Sequence, residues 1–515
     1  MKQLALISVS DKTGIVAFAQ QLVSEFEFEI VSSGGTAKTL MEAGIEVTKV
    51  SDYTGSPEIL GGRENTLHPR IHGGILARRD RADDQADMEA NNVRGFDLIV
   101  VNLYPFVATI SKPDVTVAEA IENIDIGGPA MLRAAAKNYQ HLTVISNPKR
   151  YEAYLEELRS TGGQPSLSFR QTCALETFTL TADYDQAISA YLAGINEEKV
   201  SPLPPQFSLM GTQRQALRYG ENPHQSATWY QTGNTPTGWA GATQLQGKEL
   251  SYNNLVDLEA ARRIINEFTD KPTAAILKHT NPCGIASADH LVEAYENAFA
   301  GDSVSAFGGI VALNQPLDAA TATAMTKTFL ECVVAPDCNE EAKAVLEKKS
   351  NLRVLILPDL QAGPKDMVKV IAGGFLVQTV DDEPDSADKW EIVTENKPTA
   401  EQLAEMMFAW KVAKHVKSNA IVVTRDRATI GIGAGQMNRV GAVEIALKQA
   451  GEKTQGATLA SDGFFPFDDS VRTAAQAGIT AIIQPGGSRR DDDSIQAANE
   501  LGIVMILTGT RHFLH

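Results

Sequence analysis

Two short stretches near the start of the chain carry the residue types that hold a phosphate. ISVSDKTG ends an apolar run and supplies Ser10, Asp11, Lys12, Thr13 and Gly14, and VSSGGTAKTL repeats the logic with Ser33, Gly34, Gly35, Thr36 and Lys38. Each reads as strand, small polar loop and helix start, where backbone amides, the helix dipole and an ammonium group favour an anion. The glycines permit close backbone approach, and the hydroxyls can donate to phosphate oxygens. The same residues would also serve as ordinary helix caps. Neither stretch matches a Walker A loop or GxGxxG, so ATPase and dinucleotide chemistry are not indicated.

Further along, GGRENTLHPRIHGG gathers Arg63, His68, Arg70 and His72 between two glycine pairs. His68 and His72 have the spacing of helical metal ligands, but Pro69 interrupts such a helix and no Cys or carboxylate cluster follows. Arg63 in a Gly-flanked loop suits an anion instead, because guanidinium binds phosphate bidentately. VVNLYPF puts Tyr104 at a strand end, and IDIGGPAMLRAAAKN puts Asp125 in a loop and Lys137 on the helix after it. Tyr, Asp and Lys form an acid, base and polarising set if they share the crevice at the carboxyl ends of a parallel sheet. Any one of them alone reads equally as a capped or salt-bridged surface residue.

The elements that must position these groups follow from periodicity. Up to about residue 150, apolar runs such as LALISV, EIVSS, FDLIVVNLY and HLTVIS alternate with helical patterns, which predicts a doubly wound parallel α/β sheet. Residues 150–195 are helix-periodic and read as appended helices. Residues 200–209, VSPLPPQFSL, hold three prolines in ten residues and mark the expected boundary between domains 1–199 and 200–515. The second domain mixes buried strands with long helices and is long enough for two subdomains; no short-period repeat is visible. The acidic run DDEPDSAD, residues 381–388, reads as a solvated loop.

Composition bounds the function. The 515 residues carry 46 basic and 64 acidic side chains, a formal charge of −18, which disfavours nucleic acid as a partner. Cys173, Cys283, Cys332 and Cys338 are too few for a disulfide framework and fit a reducing, cytoplasmic setting. No signal-peptide pattern and no apolar run of about 18 residues is present, so no membrane partner is expected.

The strings SVSDKTG, SGGTAK, TLHPRIHGGILARR, NLYPF and IDIGGPAMLRAAAKN resemble the AICAR transformylase/IMP cyclohydrolase family of purine biosynthesis. The resemblance continues through ALRYGENPHQ, GKELSYNNLVDLEAA, LKHTNPCG, DSVSAFGG, GIGAGQMNRV, ASDGFFPF and TRHFLH, and so covers essentially the whole chain. It implies a methylglyoxal-synthase-like first domain, a fold shared with the regulatory domain of carbamoyl phosphate synthetase. It implies a second domain of two cytidine-deaminase-like subdomains. The implied function is formyl transfer from 10-formyltetrahydrofolate to AICAR, then dehydrating ring closure of the product to IMP. The alternative is a transformylase only, whose first domain binds nucleotide but cyclises poorly or serves as a regulatory module.

Residue by residue, Lys278 and His279 match the catalytic pair of formyl transfer, with His279 as base and Lys278 as stabilising cation, and Asn419 matches a residue near the same centre. Arg218, Tyr219, Arg439, Arg511 and His515 match the nucleotide site, and Phe307, Phe464, Pro466 and Asp469 the folate site. For ring closure, Tyr104, Asp125 and Lys137 are the implied catalytic groups, with Ser10, Lys12, Ser33, Gly35, Thr36, Arg63 and Thr66 binding substrate. The family pattern RVKTLHP reads RENTLHP here, with Glu64 and Asn65 where Val and Lys are usual. A homodimer is implied because sites lie between subunits, and some relatives are described with bound potassium. Zinc, the metal of cytidine deaminases, is not expected: Pro282 and Cys283 lack a second Cys three residues on, and no HxE occurs.

Overall fold

The computed structural model describes residues 2–60, 66–195, 206–233 and 235–515. The chain divides into two compact units, Met1–Ser208 and Leu209–His515. The expected boundary between residues 199 and 200 lies outside the described residues, as do Arg63, Glu64 and Asn65.

Among the described residues five strands form the sheet of the first unit: β1 (Leu4–Val9), β2 (Glu29–Ser32), β3 (Thr48–Lys49), β4 (Leu98–Asn102) and β5 (Thr143–Ile145). Their order is β3-β2-β1-β4-β5, with every pair parallel. Leu4 and Leu6 of β1 pack with Ile99 and Val101 on one face, while Ala5, Ile7 and Val9 pack with Leu98 and Val100 on the other. Both faces are covered, which is why these strands read as continuous apolar runs rather than alternating ones. The result is the expected doubly wound sheet. Two helices follow β5, Tyr151–Thr161 and Leu167–Ile195, and the longer buries Cys173, Thr177 and Tyr184.

The second unit contains a twelve-stranded mixed sheet. It is two copies of one plan. A 14-residue helix, Tyr252–Ile265, leads to a hairpin of Thr273–Lys278 and Asn281–Ser287, then a helix, Leu291–Gly301. Strands Gly309–Leu313, Leu330–Ala335 and Arg353–Ile356 then run parallel to one another. The second copy has the 14-residue helix Ala400–Ala413, the hairpin Ile421–Arg425 and Ala428–Gly433, and the helix Arg439–Ala450. Its parallel strands are Thr458–Ser461, Ala481–Gln484 and Val504–Leu507.

The two hairpins meet antiparallel at Ala286 and Ala428 and join the halves. One core spans both halves through Leu258, Leu277, Trp410 and Val422, and each half has a second core of its own on the other face. In both hairpins a glycine lets the strand lie directly on the following helix: a Cβ on Gly284 would run into the Ala298 carbonyl, and one on Gly431 into that of Ala446.

The acidic run 381–388 is not wholly a solvated loop. Asp381 and Asp385 bond the two ring nitrogens of His512 at 2.6 and 3.4 Å, and Asp385 accepts from Trp410 Nε1 at 2.8 Å. Buried ring N–H groups need partners, and these carboxylates supply them. The four cysteines are buried free thiols. Among the described residues no helix is long and apolar enough to cross a membrane.

Candidate active sites

In the order β3-β2-β1-β4-β5 the chain reverses its winding between β1 and β4, and ligands of open α/β sheets bind at the carboxyl ends of such a pair. A cavity of about 700 Å³ opens there, and Ser10, Lys12, Ser33, Gly35, Thr36, Thr66, Tyr104 and Asp125 all line it. Ser33 stands in extended conformation before the helix Gly34–Glu42 and makes no cap bond; its hydroxyl lies 3.2 Å from that of Ser8. The Lys12 ammonium lies 3.4 Å from the Val9 carbonyl oxygen and beside Gly35, next to the open amides of that helix. Thr36 departs from expectation: its hydroxyl donates to the Val9 carbonyl at 2.9 Å and accepts from the Val9 amide at 3.0 Å. It ties β1 to the helix and is not a spare donor for phosphate.

Asn102, at the end of β4, was not singled out in sequence. Its side chain accepts from the amides of Ser10 and Asp11 at 2.6 and 2.9 Å and donates to the Asp11 carbonyl at 2.9 Å, clamping the loop after β1. The motif NLYPF contained it, but only its tyrosine looked chemical.

Asp125 faces the same cavity. Burial pushes its carboxyl above the ordinary range, and this outweighs the backbone amides of Gly128 and Tyr104 that favour the charged form. The Gly128 amide donates to Asp125 Oδ1 at 2.8 Å, and the Asp125 amide donates to the Tyr184 hydroxyl at 2.8 Å. A Cβ on Gly128 would sit 2.5 Å from Asp125 Oδ2, and one on Gly127 2.5 Å from Thr66 Oγ1, so the paired glycines let carboxylate and hydroxyl close on the helix start. Tyr104 is half exposed at the rim. Lys137 is not brought to this group. It ends the helix Gly127–Lys137, about 15 Å along the axis from Gly127, and lines a separate cavity of about 610 Å³ with Arg133, Tyr139 and Phe178.

In the second unit the catalytic candidates sit on the first hairpin's turn. His279 and Thr280 both have left-handed backbone, φ 54 and 63, uncommon for any residue but glycine and costly for a β-branched one. Asp257 holds the turn by accepting from the Thr280 amide at 2.6 Å, and burial raises its carboxyl above the ordinary range. Lys278 Nζ donates to the Phe307 carbonyl at 3.0 Å, which places the ammonium beside a folate candidate whose ring is half exposed.

Asn281 Oδ1 accepts from the Lys417 amide at 3.1 Å and joins the turn to the loop bearing Asn419. Asn419 Nδ2 donates to the Gln436 carbonyl at 2.7 Å. Behind this loop the fully buried Asp462 accepts from the Ala420 amide at 3.0 Å, from Ser418 Oγ and from Arg439. Arg439 is therefore part of a buried ion pair. The Ser418 amide donates to the Leu514 carbonyl at 2.8 Å, which brings the segment of Arg511 and His515 to the same loop. The Arg511 guanidinium lies over the Phe513 ring at 4.5 Å, and the His515 ring is 5.9 Å from it.

Phe464 is exposed beside Gly463, Pro466 is half-buried, and Asp469 starts a helix where it accepts from the Ser470 amide at 2.7 Å. Among the described residues no hydrogen bond joins Arg218 or Tyr219 to this cluster. Their loop touches the helix that carries Asp257, through Asn253 and the Glu221 carbonyl at 3.3 Å. Asp257 and Asp462 were missed in sequence.

These folds and sites define a two-unit α/β enzyme, with a polar crevice and a largely buried carboxyl in one unit and a lysine–histidine hairpin turn in the other. The comparisons agree. An MGS-like domain matches residues 14–130, and the AICARFT/IMPCHase bienzyme family matches residues 135–449. The chain is 69% identical over 517 residues to the bifunctional purine biosynthesis protein PurH of Gloeothece citriformis. It is 69% identical over 516 residues to that of Synechocystis sp. and 66% over 515 to that of Nostoc sp., in each case across 100% of both chains. A solved chain titled "Crystal structure of ForH" is 34% identical, covering 37% of this chain and 98% of its own, with a TM-score of 0.33.

The chain belongs to the AICARFT/IMPCHase bienzyme family and is a bifunctional enzyme, an AICAR formyltransferase and IMP cyclohydrolase of purine biosynthesis. Matches over the full length of both chains favour two activities over a transformylase with a vestigial first unit.

Proposed function

We propose that the second unit carries formyl transfer and the first carries ring closure. The observation behind this division is that each unit holds its own acid–base cluster: His279 beside Lys278 in one, and Asp125 above the anion-binding loops in the other. In transfer, the AICAR amine attacks the formyl carbon of 10-formyltetrahydrofolate while His279 takes the amine proton. Lys278 and Asn419 donate to the oxyanion. Collapse expels N10 of the folate, which recovers the proton from His279. Arg218, Tyr219, Arg439, Arg511 and His515 bind the nucleotide, and Phe307, Phe464, Pro466 and Asp469 surround the folate, whose flat pterin suits aromatic walls.

In ring closure, Ser10, Lys12, Ser33, Gly35 and Thr66 hold the substrate at the β1–β4 crevice, and Arg63 is a further substrate-binding residue. The carboxamide nitrogen attacks the formyl carbon, and the formyl oxygen leaves as water. One of that water's hydrogens comes from the carboxamide nitrogen and one from the formamido nitrogen. Asp125, with its raised carboxyl, relays a proton to the departing oxygen, assisted by Tyr104. Lys137 stands too far from Asp125 in its own chain and acts from a second copy in a homodimer. The buried thiols suit a cytoplasmic setting.

The test supplies formylated AICAR directly and follows IMP formation. A rate above buffer is expected, and a rate no better than buffer overturns the assignment of the first unit. Rescue of a slow rate by Asn65→Lys would locate the defect at that position. Mixing Asp125→Ala chains with Lys137→Ala chains should restore activity that neither has alone; no recovery in a mixed dimer removes Lys137 from the partner's site.

A further inference from the structure

Residues 511–515 lie along the transfer site, yet four of their five side chains are not buried. The exception is His512, whose side chain is 2% exposed. Its backbone amide donates to the Asp462 carbonyl at 3.3 Å, two residues before the Leu514 carbonyl takes up the Ser418 amide. Its ring tilts against Trp410, centroids 5.2 Å apart, between two carboxylates. Nδ1 reaches Asp381 Oδ2 at 2.6 Å, and Nε2 reaches Asp385 Oδ1 at 3.4 Å. The other oxygen of Asp385 is buried with no hydrogen-bond partner, so its charge depends on nearby cations.

The remaining charged groups around this nest are Lys414, which lies 3.2 Å from Glu267 and donates to the Glu383 carbonyl at 3.3 Å, and His415, which pairs with Glu267 at 2.9 Å. His415 is held below its ordinary value by burial, so Lys414 and His512 are the cations facing the two aspartates.

We infer that His512 is a positioning residue for formyl transfer: gripped as a cation by Asp381 and Asp385, it pins residues 511–515 across the Ser418 loop and so presents Arg511 and His515 to the nucleotide. This rests on the transfer site proposed above. It gives the acidic run a task its composition did not suggest, that of a clamp closing on a segment 131 residues away. Burial of the His512 ring opposes its charge, but the hydrogen bonds and charges of Asp381 and Asp385 outweigh burial and carry it from 6.5 to about 9. A value raised in the folded state means that the clamp is fully present below about 6.5 and is lost as pH climbs through about 9.

The test uses the full-length enzyme with Asp381→Asn, Asp385→Asn and His512→Gln, which keep side-chain size close to the original. Transformylase kinetics are measured across pH, together with amide hydrogen exchange of residues 508–515, and cyclohydrolase activity reports integrity of the other unit. The expected result is a KM for AICAR raised about tenfold, the cost of one charge-assisted hydrogen bond. Exchange over 508–515 should quicken, and the alkaline limb of transfer should move toward neutrality in the two Asp→Asn variants. Unchanged KM and an unmoved alkaline limb overturn the inference. If the segment exchanges faster while transfer is unaffected, the clamp exists but does not serve transfer, which also overturns it and traces the failure to the placement of the site. If every variant misfolds, limited replacement by His512→Arg, a permanent cation, should push the alkaline limb to higher pH; an unmoved limb there counts against it equally.

Discussion

In the first half of the second unit the hairpin turn is His279 and Thr280, with φ of 54 and 63; in the second half the corresponding turn is Asp426 and Arg427, both with φ of 54. The matching extends behind the turns. Each half opens on a 14-residue helix with a capping box, Ser251 with Asn254 in one and Thr399 with Gln402 in the other. The sixth residue of each helix is a carboxylate that accepts from the amide of the second turn residue, Asp257 from Thr280 at 2.6 Å and Glu405 from Arg427 at 2.8 Å. The left-handed turn and its carboxylate are therefore properties of the repeated scaffold. Had only the first half been considered, the strain at His279 would have looked like a mark of catalysis. What is particular to the first half is the imidazole at the turn and the ammonium before it, directed to Phe307, where the second half has Arg425 paired with its neighbour Asp426 at 3.6 Å.

The sharpest way to break this comparison is to remove the side chain at each turn. His279→Ala should lower transformylase turnover by about 10²-fold to 10⁴-fold, the span of general acid–base catalysis, with AICAR binding still measurable by calorimetry. Asp426→Ala should leave turnover within about twofold. Equal losses would mean that the turn, and not the imidazole, matters. A smaller effect, on stability, should be shared. Gly284→Ala and Gly431→Ala each force a strand away from the helix carbonyl it rests on, and each should cost about 1–3 kcal/mol in denaturant unfolding. A loss confined to one of them would show that the halves do not share this packing.

The two small polar loops of the β1–β4 crevice were legible in sequence because their parts lie within ten residues of one another, and strand followed by helix start is a local signal. The doubly wound sheet was legible for a similar reason, through continuous apolar runs. The groups that hold the candidate side chains were not legible, because their partners are remote: Asn102 acts on Ser10 across 92 positions, Asp462 on Ala420 across 42, and Asp381 on His512 across 131. An isolated Asp or Asn in a string carries no sign of which distant amide it will meet. The place of Lys137 was not legible either, because the helix of 11 residues that it ends carries its side chain away from Asp125 within the chain. The two like subdomains are implied by the family resemblance but not by any visible repeat in the string, because the repeat lies in positions and turn geometry, with LKHTN in one half answered by TRDRA in the other.

The smallest effect concerns the two helix carboxylates, and its pH dependence gives it a sign. Burial raises both Asp257 and Glu405 above their ordinary values, the amides of Thr280 and Arg427 only partly offsetting it. For an acid raised in the folded state, the stabilising contribution is present below the unfolded value and is lost as pH rises through the folded one, so at neutral pH each ionised carboxylate works against folding. Asp257→Asn and Glu405→Gln keep an oxygen to accept from the turn and remove that cost. Both should therefore raise the unfolding temperature at pH 7, by amounts that shrink as pH falls toward 4, in scans of the full-length enzyme. Transfer separates the two: Asp257→Asn, next to the His279 turn, should slow turnover, while Glu405→Gln should not. A thermal gain in both with a kinetic loss in one is what a shared scaffold with chemistry on one side requires; a kinetic loss in both would make the second turn part of the working site.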